Sequence, residues 1–245
     1  MNASYLVSNV IENINISDNI YKLKVHYKGN IKPGQFFMLR CWDKFNAPLL
    51  SRPISVHDYE NDVLTFLYEV KGIGTQKISK LKKDDKIELT GASGNGFDMD
   101  KIKNKVAIIA GGIGIAPLLY LTKSLKDCQI DLYAGFRDTP YALDSFEKYT
   151  NSINIATDSG NYGTKGFVTS LYNSSDYDVV VTCGPDIMME KVAKDALSKN
   201  VTAFISKESK MACGIGACLG CTCNTKNGGK SICKDGPVFN AIDLY

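Results

Sequence analysis

The chain has 245 residues, 44% hydrophobic and 22% charged, the balance of a folded protein with room for two compact units rather than of a disordered or fibrous one. Its formal charge is only +3 and its lysines are scattered, so no basic stripe could track a phosphate backbone and nucleic acid is not an expected partner. The N-terminal stretch lacks a basic region ahead of an apolar run, and no later segment approaches the roughly 20 apolar residues of a membrane helix, so no membrane partner and a cytoplasmic location are expected.

From Tyr5 to about Thr90 the runs NIYKLKVHY, GQFFMLRCW, RPISVHDY, DVLTFLYEV and DKIELTG show period-2 or β-branched character and are separated by Gly, Asn, Asp and Pro. They predict an antiparallel sheet closed into a small barrel. The Gly-rich, polar stretch GASGNGFDMDKIKNK marks a domain boundary near Asp100. Beyond it KVAIIA reads as a buried strand, GGIGIAP as a turn, LLYLTKSLKD as a helix and IDLYAGF as the next strand, together a βαβ unit. Further strands are expected at INIAT, DVVVTC and VTAFIS, and an amphipathic helix at Ile187 to Leu197. The fold class is therefore a β barrel plus α/β, with an antiparallel barrel over 1–100, a parallel-sheet domain over 101–205 and a small C-terminal domain over 206–245.

Eight cysteines in a cytoplasmic chain point to metal or redox chemistry rather than structural disulfides. Cys41, Cys128 and Cys183 are isolated in or beside apolar stretches and read as small core residues, whereas the other five fall within the last 33 residues. There Cys213, Cys218 and Cys221 stand in C-x4-C-x2-C spacing, and Cys233 follows after eleven residues, the plant-type [2Fe-2S] ferredoxin pattern. Gly214, Gly216, Ala217 and Gly220 keep the loop slim and leave backbone N–H groups free to face the sulfurs. A structural zinc site is the alternative, although zinc ribbons use two C-x2-C pairs and only Cys218 with Cys221 forms one. Cys223, two residues past Cys221, competes as a ligand, and the spacing selects Cys221.

In SRPISVHD, Arg52 and Ser55 could present a guanidinium and a hydroxyl to one ligand, though on so short a run alone a strand start with a turn proline is the favoured account. In LYEVKGIGTQKISKL, Gly72 and Gly74 precede Thr75 and a helix, an arrangement that offers N–H groups to a phosphate. GGIGIAPLL joins a buried strand to a helix, but Pro117 stands where the dinucleotide fingerprint has its third glycine. CGPDIMME repeats the same strand, glycine turn and helix order.

Together these segments resemble the ferredoxin-NADP reductase superfamily. The resemblance implies a flavin domain over residues 1 to about 100, with Arg52, Pro53, Ile54 and Ser55 together with Leu67, Tyr68 and Glu69 around FAD, and Gly74 with Thr75 at its diphosphate. It implies a pyridine-nucleotide site at Gly112, Gly114, Gly184 and Pro185. Asp158, in the ATDSG segment after a strand, could accept from a ribose hydroxyl, and no obvious arginine cluster answers a 2′-phosphate, which favours NAD over NADP.

A flavin barrel, a nucleotide domain and a C-terminal cluster in this order is similar over the whole chain to the iron-sulfur flavoprotein, electron-transfer subunits of class 1B dihydroorotate dehydrogenases. The segments RPIS, KGIGT, GGIGIAPL, GTKGFVTSL, CGPD and CGIGACLGC ending in CKDGPVF carry the likeness. The family implies a heterotetramer of two plus two, in which an FMN-containing catalytic subunit oxidises dihydroorotate for pyrimidine biosynthesis and this subunit passes electrons through [2Fe-2S] and FAD to NAD+. The residues agree with a conduit: His26 and His57 are the only histidines, and neither has a recognisable catalytic setting, so no catalytic residue is assigned. One alternative is the small diaphorase-like subunit of a ferredoxin-NADP transhydrogenase or a sulfide dehydrogenase. Another is a non-catalytic module using zinc. A cluster that exchanges electrons with another subunit must lie near the surface, so the Cys loop, including Leu219, is expected at the interface.

Overall fold

The computed structural model describes residues 4–43 and 47–245. Six strands close the barrel: β1 (Ser4–Ser17), β2 (Ile20–His26), β3 (Phe36–Arg40), β4 (Arg52–Glu60), β5 (Val63–Glu69) and β6 (Lys86–Ser93), in the order β1-β2-β5-β4-β3-β6. Alternation decides which face turns inward, so that Ile87, Leu89 and Gly91 of β6 are buried while Glu88 and Thr90 between them are partly open. Phe37 sits at the centre, edge-on to Phe66 at 5.9 Å and to Tyr27 at 5.1 Å. A short helix, α1 (Ile73–Ile78), follows β5. The sequence shows β1 poorly because its pairing with β2 shifts register at Val10/Glu12 and again at Asn15/Ser17, which breaks the two-residue period.

The second sheet contains β7 (Lys105–Gly111), β8 (Gln129–Phe136), β9 (Ser152–Thr157), β10 (Thr164–Lys165), β11 (Val179–Cys183) and β12 (Thr202–Ser206), all parallel, with α2 (Leu118–Ser124) and α3 (Asp186–Ser198) on its faces. Covered on both sides, β11 is buried at all five positions, which explains its unbroken apolar run. The strand order is β10-β9-β8-β7-β11-β12-β15, with β15 (Val238–Asn240) supplied by the C-terminal part. The chain winds outward from β7 in one direction and resumes at β11 in the other, so β7 and β11 flank the switch point where open α/β sheets bind ligands.

The last 40 residues are less detached than their weak periodicity implies. A hairpin, β13 (Thr222–Thr225) and β14 (Gly228–Ser231), leads into α4 (Ile232–Asp235), and then β15 (Val238–Asn240) pairs antiparallel with β12 and completes the second sheet before α5 (Ala241–Leu244). Phe36 and Met38 of the barrel share one apolar cluster with Cys221, Ile232, Cys233 and Phe239. Among the described residues no helix is long and apolar enough to cross a membrane.

Barrel and sheet are fastened together through β4 and α2. Lys123 of α2 bridges Asp58 at 2.8 Å and Glu60 at 2.7 Å, and Tyr120 donates to Ile31 O at 3.2 Å. Fully buried His57 donates from Nδ1 to Ala116 O at 2.8 Å, the tautomer that a carbonyl acceptor requires. Burial drives its pKa down from 6.5 to about 4, against the raising effect of the Ala116 bond. The neutral ring is therefore the folded form, and the unfolded chain takes up the proton first as pH falls. His57 thus withdraws about 3 kcal/mol of stability as pH drops from 6.5 to about 4. In His57→Gln this part of the acid limb is expected to flatten, as read from the difference between wild-type and variant melting temperatures across that range.

Candidate functional site

The four spaced cysteines converge as two pairs. Cys213 contacts Cys218, and Cys221 contacts Cys233. Backbone donors converge on them as the glycine content predicts: Gly216 N–H reaches Cys233 Sγ at 3.1 Å, Cys233 N–H reaches Cys221 Sγ at 3.4 Å, and Ile215 and Cys218 N–H reach Cys213 Sγ at 3.5 Å each. Gly214 and Gly216 hold φ of +70° and +80°, and a Cβ on Gly214 would come within 2.5 Å of Met38, so the loop lies flat on the barrel because these positions lack side chains. Burial raises the Cys213 thiol, but the Ile215 and Cys218 N–H groups and the Cys218 thiol outweigh it and bring the pKa down to about 6. Burial and the neighbouring Cys221 push Cys233 up to about 12.

The two pairs face different surroundings. Cys221 and Cys233 are 2% and 1% exposed, whereas Cys218 is open to solvent between Ile215 at 50% and Leu219 at 64% exposure. Leu219 holds φ +59°, an outlying conformation for a bulky residue and one that local structure must enforce. Cys223 lies on β13 and packs against the apolar cluster around Phe36, with no backbone donor from another residue. Among the described residues no three His, Cys, Asp or Glu side chains are disposed to hold a single metal ion. Two thiol pairs are instead the donor set that a two-iron centre takes up.

Beside this loop is a cleft of about 160 Å3. Pro53, Ile54 and Ser55 of β4 and Leu67, Tyr68 and Glu69 of β5 line it, so the structure brings these sequence candidates together. The remaining wall, Phe36, Lys71, Ile113, Ala116, Lys207, Glu208, Ser209, Met211 and Pro237, comes from all three parts of the chain, and none of these residues is singled out by the sequence as a site residue. Tyr68 stacks on Tyr21 at 5.8 Å and donates to Asn13 Oδ1 at 3.1 Å. Glu208 meets solvent through the mouth, yet the surrounding wall raises its carboxyl; Lys71 opposes this, and Glu69 and Asp186 add to it.

Arg52 and Gly74 touch, since a Cβ on Gly74 would lie 2.4 Å from Arg52 Nε. The guanidinium donates to Leu50 O at 2.6 Å and lies over Trp42 at 5.7 Å. The Thr75 hydroxyl is engaged within its own turn, accepting from Lys71 and Gly72 N–H and donating to Gly72 O at 3.0 Å, so it shapes this loop. A second cavity of about 570 Å3 opens nearby, with Trp42, Lys77 and Lys80 in its wall.

At the switch point Gly112 has φ +54° and Gly184 φ +155°. A Cβ on Gly114 would fall 2.3 Å from Cys183 O, and one on Gly184 2.9 Å from Gly111 Cα, so the two glycine turns are in backbone contact and open on the same side. Pro185 packs where a Cβ on Gly111 would lie, at 2.6 Å. Asp158 is exposed at the end of β9, its N–H donating to Arg137 O at 3.2 Å, which sets Arg137 beside it although the two are far apart in sequence. Of the isolated cysteines, Cys183 is fully buried, and desolvation raises the thiols of Cys41, Cys128 and Cys183 alike.

A family model described as the iron-sulfur cluster binding domain of dihydroorotate dehydrogenase B matches residues 208–245. The chain is 50% identical over 244 residues to the dihydroorotate dehydrogenase B (NAD(+)) electron transfer subunit of Clostridium acetobutylicum, covering 100% of this chain and 98% of that one. To the subunit of the same name from Clostridium perfringens it is 44% identical, covering 100% and 99%. Among solved structures, it superposes on a chain of the NADH-dependent reduced ferredoxin-NADP oxidoreductase with a TM-score of 0.86 and 25% identity, covering 100% and 91%. The ferredoxin reductase of carbazole 1,9a-dioxygenase shares the fold at a TM-score of 0.65 and 19% identity, covering 82% and 67%.

Gly114→Ala must push the two turns apart, at a cost of about 1–3 kcal/mol. The expected outcome is a lowered melting temperature and slower NADH-dependent dye reduction, with the iron content unchanged, measured on the same preparation.

Proposed function

The chain belongs to the family of electron transfer subunits of NAD(+)-dependent dihydroorotate dehydrogenase B, and from that membership we propose that it carries electrons from an FMN-containing catalytic partner, through one [2Fe-2S] and one FAD site of its own, to NAD+. The observation that carries this reading is the adjacency of two thiol pairs to a cleft lined by both β4 and β5, with the paired glycine turns on the neighbouring sheet. Identity to the reductase chain from the ferredoxin-NADP oxidoreductase is half that to the Clostridium acetobutylicum subunit, which disfavours the transhydrogenase alternative.

The residues fit the groups. Cys213 with Cys218 would hold one iron and Cys221 with Cys233 the other, while the N–H groups of Ile215, Gly216, Cys218 and Cys233 stabilise negative charge on the sulfurs. At about 160 Å3 the cleft is smaller than the roughly 300 Å3 at which ligand pockets begin. It suits the reactive ring end of a dinucleotide, leaving the diphosphate at Arg52 and Gly74 and the uncharged adenosine end for the cavity walled by Trp42, Lys77 and Lys80. When bound, the cluster supplies single-electron transfer and the flavin supplies the exchange between single electrons and a hydride. Gly112, Gly114, Gly184 and Pro185 form the floor on which the nucleotide lies, and Asp158 is placed for a ribose hydroxyl, favouring NAD over NADP. Ile215 and Leu219 surround the exposed pair and form the docking face for the partner, in a two-plus-two assembly in the cytoplasm.

Anaerobic Cys218→Ser is expected to lose the EPR signal of the reduced cluster and keep flavin and NADH-dependent dye reduction. Cys223→Ser is expected to keep all three, and loss of the signal in it alone would overturn the ligand set. Co-expression with the catalytic partner should yield a complex that couples dihydroorotate oxidation to NAD+ reduction. Leu219→Arg is expected to weaken that complex, read by gel filtration, while leaving the isolated subunit's iron and flavin intact.

A further inference from the structure

The Cys221–Cys233 pair and the cleft share a wall. Phe36, 3% exposed, belongs to the apolar cluster that contains both sulfurs and also lines the cleft. Met211, two residues before Cys213, does the same from the partly buried side. Pro237 closes the wall: a Cβ on Gly94 would meet its Cδ at 2.5 Å and the Phe36 ring at 3.4 Å, so ring and proline are packed over one glycine. The opposite thiol pair, with solvent-exposed Cys218, borders solvent through Ile215 and Leu219. The loop is thus polar in direction, with one pair facing outward and the other facing the cleft.

Building on the function proposed above, we propose that Phe36 and Met211 are the positioning residues through which electrons pass between the buried Cys221–Cys233 side of the cluster and the flavin cleft, the exposed Cys213–Cys218 side being reserved for exchange with the partner. Electrons cross closely packed atoms far more readily than empty space, and protein interiors transmit through contact because they are packed at crystal density. The aromatic ring fills the interval with no polar atom that would need to be paired. No bond forms or breaks in the transfer. The cluster side gives up one electron and the flavin side gains it, and two such transfers, with one proton from solvent, match the hydride that NAD+ accepts; the reverse direction balances in the same way.

The test uses the intact complex under anaerobic conditions, mixed with NADH and followed by flavin absorbance and by rapid-freeze EPR. In Phe36→Leu the reduced-cluster signal is expected to lag behind flavin bleaching in the same mixture at least about tenfold more than in the wild type, equivalent to about 1.4 kcal/mol of barrier. Iron and flavin content and the cluster midpoint potential are expected to stay at wild-type values, which a loss of folding would not allow. If Phe36→Leu loses iron or flavin, Met211→Ala, at a less buried position, replaces it with the same expected slowing. Wild-type rates of cluster reduction in a variant with full cofactors would overturn the inference and leave the functional reading standing. Wild-type protein without iron or flavin would instead sink the functional reading itself.

Discussion

Three backbone pairings, Phe204 with Asn240, Ile205 with Phe239 and Ser206 with Val238, fix the cysteine loop in space. The loop leaves the sheet at Ser206 and returns to it at Val238, so both of its ends are anchored on adjacent strands. Lys207 N–H adds a further bond to Pro237 O at 2.8 Å just beyond the ladder. Everything that lines the cleft from the C-terminal part, Lys207, Glu208, Ser209, Met211 and Pro237, lies within a few residues of this closure. A ladder on an otherwise parallel sheet thereby sets the distance between the sulfurs and the barrel.

The barrel meets this frame through shared apolar clusters and a few polar bonds. Asp58 and Glu60 share Lys123, and the His57 bond ends on Ala116, which itself lines the cleft. The cleft's walls come from the barrel, the sheet domain and the C-terminal part, and these bonds join the first two. Partly exposed ion pairs contribute little to stability, so the weight falls on the fully buried imidazole and on the packing of Tyr120 against Tyr59.

Local chemistry was legible in the sequence and tertiary assembly was not. The cysteine spacing and the glycine positions state their purpose directly, because ligand geometry and positive φ restrict which residues can stand there. The strands of both sheets also show themselves, since burial on one face or two leaves different patterns. β15 is invisible by pattern: three residues at a sheet edge are too short to show a period, and CKDGPVF reads as loop. Phe36 is an ordinary strand aromatic in sequence, and its position between sulfurs and cleft arises only when β3 and the C-terminal segment pack together. The hydrogen bonds of the Thr75 hydroxyl within its own turn are likewise invisible in KGIGT as a string of residues.

The position of β15 also bears on how the molecule comes into being. A chain is made from its N-terminus and its domains begin to fold as they emerge. Barrel and parallel strands β7 to β12 can therefore assemble while the cysteine loop is still tethered at one end. The strand that completes the sheet follows all four spaced cysteines in the chain, so the loop is fixed at its second end only once they have been made.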